Sequence, residues 1–86
     1  MKILKDIIYG IDLDSIKGDT NVIIKSIEFD SRKVVQGSLF VAIKGENVDG
    51  HAFINKAIKN GASAVIYNDY PFGDEKITTI KTPNTR

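Results

Sequence analysis

Residues 39–67 read LFVAIKGENVDGHAFINKAIKNGASAVIY, and the fold turns on how this stretch divides. LFVAI (39–43) is a continuous apolar run of strand length, which suits a strand covered on both faces. SAVIY (63–67) is a second short apolar run. Between them Phe53, Ile54, Ala57 and Ile58 recur at i, i+1, i+4 and i+5, on one face of a helix. Asp49 stands where its carboxylate accepts the free amides of the first turn. Lys56 and Lys59 lie toward the C-terminal end, where the helix dipole favours positive charge. Gly61 supplies the stop. Strand, loop, helix and strand in about 30 residues make a βαβ unit. The two strands are expected to be parallel, with a right-handed crossover.

Outward from this unit, VIIKSIEF (22–29) is β-branched and partly alternating. It reads as one strand, with Ile27 and Phe29 on one face and Glu28 on the other. ITTIKT (77–82) is a last strand, after the turn region NDYPFGDE with Pro71 and Gly73. KILKDIIY (2–9) places Ile3, Leu4, Ile7 and Ile8 at helical spacing, ended by Gly10. IDLDSIKGDTN is a polar connection. The last residues, PNTR, follow a strand without any capping element, so the natural protein is expected to continue.

Eighty-six residues make one small domain or a piece of a larger protein. Such a chain buries only about 60–65% of the surface its unfolded form exposes, enough for one modest core. Twelve Lys+Arg against eleven Asp+Glu leave a net charge of +1. That balance argues against a dedicated nucleic-acid binder, which carries a basic face. With no Cys and one His, the sequence lacks a disulfide framework and carries no expected metal site. No apolar run approaches the ~18 residues of a membrane span, and the start lacks a signal-peptide pattern. No membrane partner is expected, and the expected compartment is the cytoplasm.

Ligands of open α/β sheets bind beyond the carboxyl ends of the strands. That rule selects the loop KGENVDG (44–50), which leads into a helix N-terminus. Asp49 opposes a phosphate there, because a capping carboxylate already occupies the amides. A neutral contact fits better: backbone groups and Asn47 reading a base or sugar, with Lys44 nearby. A solvated loop is the plainer reading. The segment matches neither the dinucleotide fingerprint nor a P-loop. Asp30, Ser31 and Arg32 follow the 22–29 strand and form the second candidate. Ser31 offers a donor and an acceptor, and Arg32 a fork for an anion. The alternative is a structural turn in which Asp30 accepts backbone amides and pairs with Arg32. His51 has no nucleophile motif near it, so a solvent-facing or cap-packing role outranks catalysis. Tyr67 and Tyr70 read as sheet-edge packing rather than a stacking platform. Asp12 and Asp14 fit a polar loop better than a paired-carboxylate site.

Over residues 27–66, the run DSRKVVQGSLFVAIKGENVDGHAFINKAIKNGASAVI resembles the N-terminal domain of the Mur ligases in order and spacing. The pattern is DSR, a Gly, LFVA, KG, DGH, an amphipathic helix and GA before a strand. The LKDII start and the TPNTR end resemble the MurE branch, with MurF second. The resemblance implies an α/β fold, a small three-layer-type domain with a mixed, partly parallel sheet of about five strands. It implies that residues 1–86 are the UDP-substrate-binding domain of a three-domain ligase. That enzyme uses ATP and Mg²⁺ to add a third amino acid, L-lysine or meso-diaminopimelate, to UDP-MurNAc-L-Ala-D-Glu in peptidoglycan synthesis. The partners implied are that substrate and the central and C-terminal domains of the same chain. By the same resemblance Phe29, Ser31, Glu46, Asn47 and Val48 contact the UDP moiety, while Asp30 and Arg32 support the turn. Glu46 stands where several family members carry His, so backbone contacts from that loop are expected. No catalytic residue and no cofactor are assigned to these 86 residues. A stand-alone uridine-nucleotide-binding module is the reading from another functional class.

Overall fold

The computed structural model describes residues 1–45, 49–72 and 76–83. Seven short strands and two short helices are present among them: β1 (Lys2–Ile3), α1 (Leu4–Ile7), β2 (Ser15–Lys17), β3 (Ile23–Ile24), β4 (Ser26–Glu28), β5 (Ser38–Val41), α2 (Ile54–Lys59), β6 (Ala64–Tyr67) and β7 (Thr78–Lys81). Five strands form one sheet in the order β2-β7-β6-β5-β4. Neighbours among β4, β5, β6 and β7 are parallel, and β2 joins the β7 edge antiparallel. The expected α/β class and the mixed sheet of five strands are therefore met.

The apolar run at 39–43 behaves as its composition dictates. Leu39 faces a core with Leu4, Ile8, Ile24, Ala64, Ile66 and Ile80, while Phe40 and Ala42 face a second core with Val34, Ile54, Ala57, Val65 and Tyr67. Side chains of a strand alternate between faces, so a continuous apolar run fills two cores at once. The sheet is the middle layer. One side carries α2, and the other carries α1 with the small antiparallel ladder β1–β3.

The helix between β5 and β6 has two parts. Gly50–Phe53 form a 3₁₀ turn that runs into α2. Asp49 caps the turn as expected, accepting from the His51 amide at 3.0 Å. After α2 the chain turns at Gly61, whose φ is +110°. A Cβ there would lie 2.7 Å from Gln36 Cα, so both the dihedral and the close approach require glycine.

Three expectations about secondary structure differ from what is observed. Residues 2–9 hold only one helical turn, because the backbone of Lys2–Ile3 pairs with Ile23–Ile24 instead. The 22–29 run is two strands in two sheets, β3 and β4. Ile24 is buried in the α1-side core, and at Lys25 the amide turns to donate to the Gly37 carbonyl at 2.9 Å. The polar connection 11–21 contains β2, which takes the open edge of β7 and is fixed by Thr78 Oγ1 donating to the Asp19 carbonyl at 2.6 Å. No helix among the described residues is long and apolar enough to cross a membrane.

His51 ties the start of the helical segment to the end of β6. Its Nδ1 lies 2.6 Å from Asp49 Oδ1, and its Nε2 accepts from the Asn68 amide at 2.9 Å and the Asp69 amide at 3.3 Å. The two amides fix the tautomer: Nε2 is the acceptor, so Nδ1 carries the proton and donates to Asp49. The His51 amide and then its ring, both donating to Asp49, hold that carboxyl below the usual aspartate range. Replacing His51 by Ala removes the shared acceptor of both amides. The expected cost is about 1–3 kcal/mol in urea unfolding, and amide exchange at Asn68 and Asp69 should quicken. A neutral substitution would contradict the clamp.

Candidate functional site

The four parallel strands all end on one rim. Beyond β4 lies the corner Phe29–Asp30–Ser31, and beyond β5 lies Ala42–Ile43, then the stem of the KGENVDG loop. That stem is closed by a bridge between Lys44 and Asp49. Gly50 packs against it, donating to the Ile43 carbonyl at 2.7 Å, and a Cβ at Gly50 would lie 2.8 Å from the Ile43 nitrogen. Between the corner and this stem is an open recess of about 520 Å³. Phe29, Asp30, Ser31, Arg32, Ile43, Gly50, Phe53 and Lys56 border it.

The corner is held from several directions. Asp30 caps a 3₁₀ turn over Ser31–Lys33, accepting from the Arg32 amide at 2.9 Å. The same carboxylate grips the Arg32 guanidinium, with Nε at 3.1 Å and Nη2 at 2.8 Å. The side-chain bond from Arg32, reinforced by the Arg32 amide, pulls the Asp30 carboxyl down to about 2. From α2, Asn60 Nδ2 reaches across to the Ser31 carbonyl at 2.9 Å. Asp30 and Arg32 thus pair with each other, and the guanidinium fork is already taken.

Ser31 is only 5% exposed, yet it borders the recess. Its hydroxyl has no hydrogen-bond partner among the described residues and keeps contact with solvent. Phe29 lies just past the end of β4 and is 59% exposed. A mostly hydrated phenyl ring beside a recess gives a flat apolar surface that a planar group can cover. The candidates Phe29, Ser31, Asp30 and Arg32 are therefore brought together at one place. Glu46, Asn47 and Val48 lie outside the described residues; the loop that carries them leaves and re-enters at the same rim.

The remaining candidates sit elsewhere. His51 is buried and takes the cap-packing role. Tyr67 lies in an interior strand, not at a sheet edge, and its ring packs on Phe72 at 4.7 Å; Tyr70 contacts the same ring at 4.7 Å. Asp12 and Asp14 are exposed, and the Asp14 amide donates to the Lys81 carbonyl at 2.8 Å. Four bordering residues were not among the candidates: Ile43, Gly50, Phe53 and Lys56. Helical spacing assigned Phe53 to the core face, but the 3₁₀ geometry of Gly50–Phe53 turns it outward, 42% exposed. The signal that finds this face is the i, i+3 pair Phe53 and Lys56.

Comparison with known proteins bears on this geometry. Residues 23–83 match the family described as "Mur ligase family, catalytic domain". A UDP-N-acetylmuramoyl-L-alanyl-D-glutamate–2,6-diaminopimelate ligase of Clostridium perfringens is 44% identical over 84 residues, covering 98% of this chain and 17% of that protein. The ligase of the same name from Clostridioides difficile is 45% identical over 83 residues, covering 96% of this chain and 17% of the relative. The chain thus spans about a sixth of the length of the curated relatives it matches. Among solved structures, MurF of Acinetobacter baumannii superposes with a TM-score of 0.63 at 35% identity, over 72% of this chain and 13% of its own. MurF of Thermotoga maritima in complex with ADP gives 0.58 at 34% identity, over 69% of this chain and 14% of its own. The matched segment takes in β3 to β7 and the whole recess, and the chain belongs to the Mur ligase family.

Proposed function

We propose that this chain anchors the uridine end of UDP-MurNAc-L-Ala-D-Glu for a ligase that joins 2,6-diaminopimelate to that precursor. The observation that carries the reading is the corner at the end of β4. It presents the hydroxyl of a largely buried serine, reachable by solvent and without a partner among the described residues, beside an exposed phenyl ring at the rim where parallel sheets take ligands. The Phe29 ring covers one face of the uracil. The Ser31 hydroxyl, able to donate or accept, pairs with an edge of the base. The neighbouring loop, through Glu46, Asn47 and Val48, supplies the second set of contacts to the uridine. Asp30 and Arg32 are the supports that aim Ser31. Relatives at 44–45% identity bear the diaminopimelate ligase name, which favours that amino acid over lysine and this branch over MurF at 35%.

The whole protein would take ATP, whose phosphates need a glycine-rich cradle and a Mg²⁺ site. The 86 residues contain no GxxxxGK[ST] segment and so do not fit that group. In this reading the chain binds and orients substrate, contributes no group to the acyl-transfer chemistry, and has no turnover alone. Without the contacts that further domains make to diphosphate and peptide, the affinity of the chain for UDP should be millimolar, roughly −4 kcal/mol.

An NMR titration of the chain with UDP tests the anchoring. Amide shifts should cluster at 29–32 and 46–48. Ser31→Ala should weaken binding by about 0.5–1.5 kcal/mol. Shifts confined to another surface, or none at millimolar ligand, would refute it and favour a module of a different kind. The support role of Asp30 has its own test in a carboxyl titration. The native midpoint should lie at about 2, and Arg32→Gln should raise it toward the ordinary value of about 3.9. Because the folded value is the lower one, the contribution to stability is present above about pH 4 and is lost as pH falls toward 2. A midpoint unaffected by Arg32→Gln would show that the pair does not hold the corner in solution.

A further inference from the structure

Two side chains of the recess have no part in the anchoring just described. Phe53 ends the 3₁₀ turn and Lys56 lies three residues later in α2, so one helical face carries both toward the recess. Phe53 is 42% exposed, while its neighbours Ile54 and Ala57 are fully buried. It therefore gives the recess a second aromatic border besides Phe29. The charges of the recess are unequal in their commitments. Arg32 is held by Asp30 through two side-chain bonds, at 3.1 and 2.8 Å, which also occupy the one carboxylate among the described lining residues. The Lys56 ammonium has no hydrogen bond or ion pair among the described residues. Two aromatic borders, a hydroxyl without a partner and one uncommitted ammonium group are what a planar base joined to an anion requires.

We propose that Phe53 is the second wall for the nucleobase and that Lys56 is the cation that meets the phosphate nearest the ribose. This rests on the uridine-anchoring reading and adds a division of labour to it. The ring of Phe53 serves the base, whether or not phosphate is attached, and Lys56 distinguishes a nucleoside diphosphate from a nucleoside. A lysine suits this task, since its ammonium is a point charge on a flexible stem and needs no fixed fork geometry. The contact lies at the surface, so it should be modest and sensitive to salt.

The experiment is a set of NMR titrations of the chain, Phe53→Leu and Lys56→Gln, each with uridine and with UDP. Phe53→Leu should weaken uridine and UDP alike, by roughly five-fold or more. Lys56→Gln should leave uridine unchanged, weaken UDP roughly two- to five-fold, and flatten the loss of UDP affinity with added NaCl. A purely structural role for either residue would move both ligands together at Lys56, or neither at Phe53. If both ligands shift the recess residues and the two variants bind like the parent, this inference falls and the anchoring reading stands. If neither ligand shifts residues of the recess in the parent chain, both fall.

Discussion

Ser38 has no exposed surface, and its hydroxyl joins the two strands whose alignment creates the rim. Its Oγ lies 2.8 Å from Ser26 Oγ and accepts from the Val35 amide at 3.0 Å. Ser26 and Ser38 are also register partners in the β4–β5 ladder. A slip of one residue would exchange the faces of Leu39 and Phe40 and empty both cores. The buried serine pair and the two-sided apolar pattern therefore specify the same register. That register sets Glu28 beside Phe40, and so brings the corner at 29–31 alongside the start of the loop after β5. Each feature of the recess depends on this alignment.

The crossover from β4 to β5 is unusually short for parallel strands, which commonly need a dozen residues or more. Residues 29–37 must turn at the rim, run back along the sheet and re-enter at Ser38. No full helix fits. A capped 3₁₀ turn begins the return, and Asn60 from α2 ties it down. The acid, hydroxyl and guanidinium of Asp30–Arg32 divide the work of this tight reversal. The acid and the guanidinium satisfy each other and the local amide, which leaves the hydroxyl between them uncommitted. The structural turn and the proposed binding site are thus the same object, so the two readings the sequence poses are compatible.

What the sequence made legible follows the same physics. The βαβ unit at 39–67 could be read because its apolar runs and helical spacing are each long enough to show a period, and because Asp49 and Gly61 mark the helix ends. β2 could not be read, because Ser15–Lys17 are all exposed and their strand geometry comes from β7's open edge, not from their own pattern. The division of 22–29 into two strands was hidden too, since no Gly or Pro marks the change of sheet at Lys25. At the site, Phe29, Asp30, Ser31 and Arg32 are contiguous in sequence, and the resemblance to the Mur ligases named them together. Phe53 was missed because an α-helical wheel assigns it to the core, while the 3₁₀ turn that rotates it outward leaves no periodic trace over four residues.

The claim at the centre is that the corner after β4 and the loop after β5 share one uridine site on a preformed rim. A crystal of the chain soaked with UDP tests it most directly. The account predicts difference density for the base against Phe29, within hydrogen-bond reach of Ser31 Oγ, with the Asp30–Arg32 pair unmoved. Density for UDP at any other surface, with the recess at Ser31 unoccupied, would contradict it.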